Sequence, residues 1–168
     1  MAAMVEQMVA IVCMLGGVSH IMAVVSVRKK LTVETPVPGD DGGTVTCEYP
    51  TVQSVVFGYL SVAFLIACTM FGYIFVFYPY KGKSVPQRVM LKHTSFTICF
   101  YIAFFTFGLT ANLLLWTTIR DQAHLTNNVH SDLICKTDTL GVGSIFSVYS
   151  TMLWLAALMY ADNARGMF

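Results

Sequence analysis

Charged residues are scarce in this sequence for a chain of its length. Asp, Glu, Lys and Arg make up 11% of its 168 residues, whereas 56% are hydrophobic. A soluble domain carries about 25% charged residues. With about half that fraction, this chain has too few charged residues for a surface that faces water everywhere, so lipid must cover part of it. The net charge of +1 provides no basic surface for nucleic acid, and we expect no nucleic-acid partner.

Catalytic and metal-binding motifs are missing as well. The sequence contains no nucleophile elbow, no phosphate-binding loop, no HExxH and no CxxC. His124 and His130 lie six residues apart in a polar stretch, which is too loose a spacing to predict a metal site. We therefore expect neither an enzyme nor a cofactor.

Four long apolar segments are present instead. A bilayer core of about 30 Å needs roughly 20 apolar residues of helix, and no Asp, Glu, Lys or Arg interrupts these four runs. They are too long for barrel strands of about 10 residues, so helices are predicted. The prediction is an all-α membrane protein, a single domain over residues 1–168 that forms a four-transmembrane-helix bundle, with spans at about 8–27, 52–78, 95–119 and 140–160.

The first span differs from a secretory signal peptide. Its apolar part is longer than the usual 7–15 residues, and no basic residue precedes it. Arg28, Lys29 and Lys30 follow it instead. We expect this span to be retained as a helix.

The orientation of the spans rests on a weak charge asymmetry. Four spans put both termini and the 79–94 connector on one side, and the 28–51 and 120–139 connectors on the other. Lys and Arg number five on each side, so the positive-inside rule does not decide alone. The 79–94 connector has four of them and no acid, which favours cytoplasmic termini. A short strand is expected at 44–47, in the first extracellular connector.

Two cysteines lie outside the spans. Cys47 and Cys135 occupy the two connectors assigned to the extracellular or luminal side. A disulfide between them is chemically permitted in that compartment and would join the two connectors. Two free thiols are the alternative, because cysteine spacing alone does not establish connectivity.

Small residues recur within the spans at helical spacing. Lipid tails are as apolar as Leu, so close backbone contact must drive much of the helix association. The fourth span places Gly143, Ser147 and Thr151 on one face, and the first span contains Gly16 and Gly17. We expect these residues to pack helix against helix.

Two polar residues stand out inside the membrane. His20 lies in the outer part of the first span and Asn112 in the outer part of the third. Polar groups at such depth require partners. One interpretation is a proton or substrate site. The other, which we favour because no intramembrane acid or base accompanies them, is an interhelical hydrogen bond or a position near the membrane interface.

Two stretches carry a family resemblance. They are "TCEYP" at 46–50 and "CKTDTLGVGSIFSVYSTMLWLAALMYADNAR" at 135–165. Between them lie the second and third spans, joined by a basic turn, and the start of a polar loop. In their order and spacing the chain resembles, over nearly its whole length, a land-plant tetraspan family of unknown biochemical function. That family includes the modifying-wall-lignin and vasculature-complexity-and-connectivity proteins. The resemblance implies residence in the plasma membrane or the endoplasmic reticulum and endomembranes, a link to cell-wall formation, and no catalytic mechanism.

The leading hypothesis is a non-catalytic integral membrane scaffold, adaptor or accessory subunit. Its expected partners are the lipid bilayer and other integral membrane proteins, or further copies of itself by self-association. The alternative is a small transporter or channel subunit. In that case a hydrated path would be lined by polar groups in the spans, with His20, Thr110, Asn112 or Ser147 facing it.

Thiol labelling of intact cells tests the predicted topology. We expect Cys47 and Cys135 to be modified by a membrane-impermeant maleimide only after reduction, because a disulfide blocks both thiols. Labelling of one cysteine from outside and of the other only after permeabilisation would contradict it.

Overall fold

The computed structural model describes residues 2–36, 44–77, 94–127 and 139–166. These residues form four helices, α1 Ala2–Arg28, α2 Val52–Phe77, α3 Thr94–Asn127 and α4 Thr139–Gly166, with strands β1 Leu31–Pro36 and β2 Thr44–Tyr49 between α1 and α2. All four helices contain segments long and apolar enough to cross a membrane, at Val5–Arg28, Val52–Phe77, Thr94–Thr126 and Gly141–Asn163. The prediction of four such helices is confirmed.

The helices pack as a four-cornered bundle. α1 and α3 each contact both α2 and α4, and α2 also contacts α4 across one diagonal. Trp154 of α4 is completely buried near the centre. The rings of Phe100 and Phe104 from α3 meet it edge to face, with centroids 6.0 and 5.2 Å away. This aromatic cluster joins α3 to α4 in the favoured geometry for ring pairs.

The hairpin between α1 and α2 fixes how these two helices begin their pairing. β1 and β2 pair antiparallel, with Leu31 opposite Tyr49. Thr51 then links the arms, because its Oγ1 donates a hydrogen bond to Lys29 O at 2.8 Å. The same oxygen accepts one from Ser54 N at 3.2 Å, which is the bond of a helix N-cap. Both arms therefore change from strand to helix at the same level.

Serine pairs continue this register along α1 and α2. Ser26 Oγ donates to Ser54 O at 2.6 Å. Seven residues deeper, Ser19 Oγ donates to Ser61 O at 2.9 Å, and Ser61 Oγ donates to Ser19 O at the same distance. All four serines are buried. Because hydrocarbon offers no water to replace them, these bonds hold α1 and α2 at one relative height.

Glycines supply the close approach between the other helix pairs. In each case a Cβ added at the glycine would overlap a side chain of the neighbouring helix. The overlaps are Gly16 with Thr151, Gly58 with Thr118 Oγ1 at 2.6 Å, Gly72 with Trp154 Cδ2 at 2.9 Å and Gly143 with Leu114 Cδ2 at 2.8 Å. They cover the contacts α1–α4, α2–α3, α2–α4 and α3–α4. The packing therefore uses small residues, as expected where lipid provides no hydrophobic drive.

Helix α3 is longer than the predicted span. The span was expected at 95–119, with a polar connector from Arg120 onward, yet residues 120–127 are helical. That stretch contains no Gly or Pro to end the helix, and Asp121 within it is buried. With 34 residues, α3 measures about 50 Å and so exceeds a bilayer core of about 30 Å.

Two adjacent glycines of α1 provide a matched test of this packing. We expect Gly16→Ala to destabilise the protein by roughly 1–3 kcal/mol, because the new methyl group overlaps Thr151. Gly17 is exposed, and a Cβ there meets no atom of the described residues within 4 Å. Gly17→Ala should therefore be neutral or stabilising by up to about 1 kcal/mol. Unfolding in mixed micelles, followed by circular dichroism, measures both; equal effects would contradict the packing.

Candidate interaction surface

An ion pair crosses the hairpin end of the bundle. Lys30 follows the last turn of α1, and Asp121 lies in the part of α3 beyond the predicted span. Lys30 Nζ and Asp121 Oδ2 are 3.2 Å apart, and their side chains are only 11% and 10% exposed. The pair links α1 to α3, which occupy opposite corners of the bundle. Because each charge is largely withdrawn from solvent, it depends on the other for compensation.

A second polar contact lies at the same end. The hydroxyl of Tyr59 on α2 donates a hydrogen bond to Gln122 Oε1 on α3. Gln122 follows Asp121 directly, so two consecutive residues of α3 contact the chain on either side of the hairpin. Together with the Thr51 bond to Lys29, these contacts fix the base of the hairpin against the extension of α3.

An open groove lies beside this base. It has a volume of about 370 Å³ and is lined by Lys29, Val52, Gln53, Val56 and Phe57. Val52 is 70% exposed and Val56 is 52% exposed. The groove thus combines apolar side chains with one cationic and one amide group.

His20 forms a link between two helices. Its Nδ1 lies 2.9 Å from Ser144 O on α4. Because a carbonyl oxygen only accepts, Nδ1 must carry the proton and donate. Ser144 O also accepts from Ser147 Oγ at 2.9 Å. The histidine therefore belongs to the α1–α4 contact.

Asn112 lies apart from His20, on the exposed face of α3. Its Nδ2 donates to Gly108 O of the same helix at 2.9 Å. The other groups expected to line a path form bonds within their own helices: Thr110 Oγ1 donates to Thr106 O at 2.7 Å, and Ser147 bonds to Ser144 as above. The described contacts therefore do not bring the four polar groups together.

Of the five residues expected to pack helix against helix, four are buried in the bundle and one is exposed. Gly16 meets Thr151, Gly143 meets Leu114, and Ser147 is completely buried. Gly17 instead faces outward.

The expected disulfide falls partly outside the described residues. Cys135 lies there, and for Cys47 only the backbone of β2 is described, so the bond stays a prediction. The cysteines with described side chains, Cys13, Cys68 and Cys99, carry free thiols.

Some of the interior polar atoms have no protein partner within the described ranges. Thr69 Oγ1, Ser150 Oγ and Trp154 Nε1 are buried and accept or donate no hydrogen bond there. Across the same part of the chain, no three His, Cys, Asp or Glu side chains come together as metal ligands would. The polar side chains described in the spans thus carry hydroxyl, thiol, carboxamide, indole and imidazole groups.

Sequence reasoning missed the Lys30–Asp121 pair and the serine bonds. Both had signals in the sequence. Ser19 and Ser26 are seven residues apart, as are Ser54 and Ser61, which is the spacing that repeats one helix face. Each charge of the pair lies just beyond an apolar run.

The chain was also compared with known proteins. No protein-family model matches it, and neither the curated proteins nor the solved structures contain a match. The resemblance to land-plant tetraspans, carried by 46–50 and 135–165, therefore stays a prediction. Proposals about function rest on the contacts of the described residues.

A double-mutant cycle tests the ion pair. We expect Asp121→Asn and Lys30→Met each to destabilise the protein by roughly 1–3 kcal/mol, because each strands a largely buried partner. The double variant should cost less than the two single effects together, with a coupling of roughly 0.5–3 kcal/mol. Lys29→Met, at an exposed neighbour, should change stability by about 0.5 kcal/mol or less. Thermal unfolding in detergent measures all four, and additive effects would refute the coupling.

Proposed function

We propose that this protein is a non-catalytic integral membrane scaffold, adaptor or accessory subunit. Its partner-binding surface would be the hairpin end, comprising β1, β2, the groove and the 120–127 part of α3. The observation that carries the proposal is the Lys30–Asp121 pair. It links two corners of the bundle at the point where the chain leaves the apolar spans.

A surface fixed in this way suits partner binding. Association costs free energy when loops and side chains must become ordered, and a preorganised surface avoids part of that cost. The Tyr59–Gln122 bond and the Thr51 link to Lys29 add to the same preorganisation. Exposed Val52 and Val56 supply apolar contact area in the groove between these polar contacts.

The proposed orientation places both termini in the cytoplasm and the hairpin on the extracellular or luminal side. Its support is the basic 79–94 connector and the shared side of Cys47 and Cys135. A disulfide between these cysteines would hold the connector between α3 and α4 beside the hairpin and complete the surface. The strand expected in the first extracellular connector belongs to this part of the proposal.

The membrane and the biological setting are proposed from the family resemblance. The stretches at 46–50 and 135–165 support the plasma membrane or endoplasmic reticulum and a role in plant cell-wall formation. In that setting the partner would be a larger membrane protein, with any chemistry carried out by that partner.

A small transporter or channel subunit is the second candidate. The observation that favours it is the set of buried polar atoms at Thr69, Ser150 and Trp154 that lack partners among the described residues. Such atoms are satisfied by water in many proteins. Solute flux in vesicles containing the purified chain, lost in Ser150→Ala, would favour this function over the scaffold.

Partner capture tests the scaffold function. We expect a defined larger membrane protein to co-purify with the chain from native membranes in mild detergent after crosslinking. Val52→Asp, in the groove, should reduce the recovered partner about tenfold, because it places a charge in an apolar contact. Gln7→Glu, exposed near the start of α1 at the opposite end of the bundle, is the control for an added charge and should leave the recovery unchanged. A chain recovered without any partner would overturn the proposal.

A further inference from the structure

Helix α3 carries an outward-facing seam with the spacing of a coiled coil. Its members alternate by steps of three and four residues and are exposed in the bundle. They are Ile102, Phe105, Leu109, Asn112, Trp116 and Ile119. Phe105 and Trp116 are each 72% exposed. A repeat of 3.5 residues keeps one face of a helix against a partner helix that crosses at about +20°.

Lipid accounts for the apolar members of this seam but not for Asn112. This residue lies eight positions before Arg120, which is about 12 Å along the helix and within a hydrocarbon core of about 30 Å. Its Nδ2 donates a hydrogen bond to Gly108 O. Because a carbonyl oxygen only accepts, this bond determines which end of the amide points toward the helix backbone. The amide oxygen and the second N–H therefore face outward, where lipid offers no hydrogen-bond partner.

A second copy of the chain has the complementary group at the same depth. Copies inserted in one orientation are related by a two-fold axis along the membrane normal, so α3 faces α3 and Asn112 faces Asn112. A carboxamide both donates and accepts, so two of them satisfy each other reciprocally. We propose that this protein self-associates as a dimer through the α3 seam, with paired Asn112 amides at its centre.

Gly108 fits this arrangement. A Cβ added there would meet no atom of the described residues within 4 Å, so none of those residues fills the space beside the glycine. It lies one turn from Asn112, on the edge of the seam. Without a side chain it allows the partner helix to come close enough for the amides to bond, as small residues do in other membrane helix pairs.

This inference rests on the proposed function only in that a second copy is one of the partners a scaffold would hold. The groove residues Val52, Gln53 and Val56 belong to α2, so the α3 seam does not include them. A dimer would therefore present two such surfaces on the same side of the membrane.

Dilution in vesicles tests the dimer with the purified full chain alone. Donor- and acceptor-tagged chains are reconstituted in phosphatidylcholine vesicles over a range of protein-to-lipid ratios, and energy transfer gives the dissociation constant. We expect Asn112→Val to weaken association about tenfold, since it removes both amide bonds, and Asn112→Gln to restore most of it. Neither change should alter the melting temperature, because the side chain of residue 112 is exposed on the bundle and its hydrogen bond is to Gly108 of the same helix.

A pair of truncations locates the interface. Phe105→Ala should weaken association, whereas Met152→Ala, on α4 and 60% exposed, should leave it unchanged. Monomers at every ratio, a dimer that Asn112→Val leaves intact, or equal effects of Phe105→Ala and Met152→Ala would each overturn the inference. A monomer that still captures a membrane partner would overturn the dimer while leaving the scaffold function standing.

Discussion

The antiparallel pairing of α1 with α2 keeps one register from the hairpin strands into the membrane. Leu31 pairs with Tyr49 in the sheet, and Ser26 bonds to Ser54 five residues further along each arm. Two steps of seven residues then lead to Ser19 with Ser61 and to Val12, whose carbonyl accepts from Cys68 Sγ at 3.6 Å. Each step forward in one arm is matched by an equal step back in the other. Because the arms change from strand to helix at the same level, neither slips against the other. The elements α1, β1, β2 and α2 therefore form one antiparallel unit, on which α3 and α4 pack.

That unit also determines where the remaining helices make contact. Gly16, Gly58 and Gly72 open positions on α1 and α2 that receive side chains of α3 and α4. A change of register would move these glycines away from the side chains that fill them, and would leave serine hydroxyls unpaired in hydrocarbon. The Lys30–Asp121 pair depends on the same alignment, since Lys30 lies between the last turn of α1 and the first residue of β1. The geometry of the surface proposed for partner binding thus depends on contacts deep in the bundle.

The four helices could be predicted from the sequence because length and the absence of charge are local properties. The end of α3 could not be predicted in this way. A charged residue such as Asp121 after an apolar run is typical of a connector, and only the tertiary structure shows that Lys30 compensates its charge. The same limit applies to the small residues. Spacing identifies Gly16 and Gly17 equally, and only the position of α4 decides that Gly16 meets Thr151 while Gly17 faces outward. Asn112 was recognised as unusual from its type and depth, but its place on the outer face follows from tertiary packing alone.

Engineered disulfides measure the α1–α2 register most directly. In a chain with its native cysteines replaced by serine, the pair Ser19→Cys with Ser61→Cys should crosslink under mild oxidation, since the two Oγ atoms lie 3.4 Å apart. The pair Ser26→Cys with Ser54→Cys has the same separation and should behave alike. The exchanged pairs, 19 with 54 and 26 with 61, are displaced by about 10 Å along the helices and should not crosslink. Crosslinking of the exchanged pairs in place of the matched ones would contradict the account.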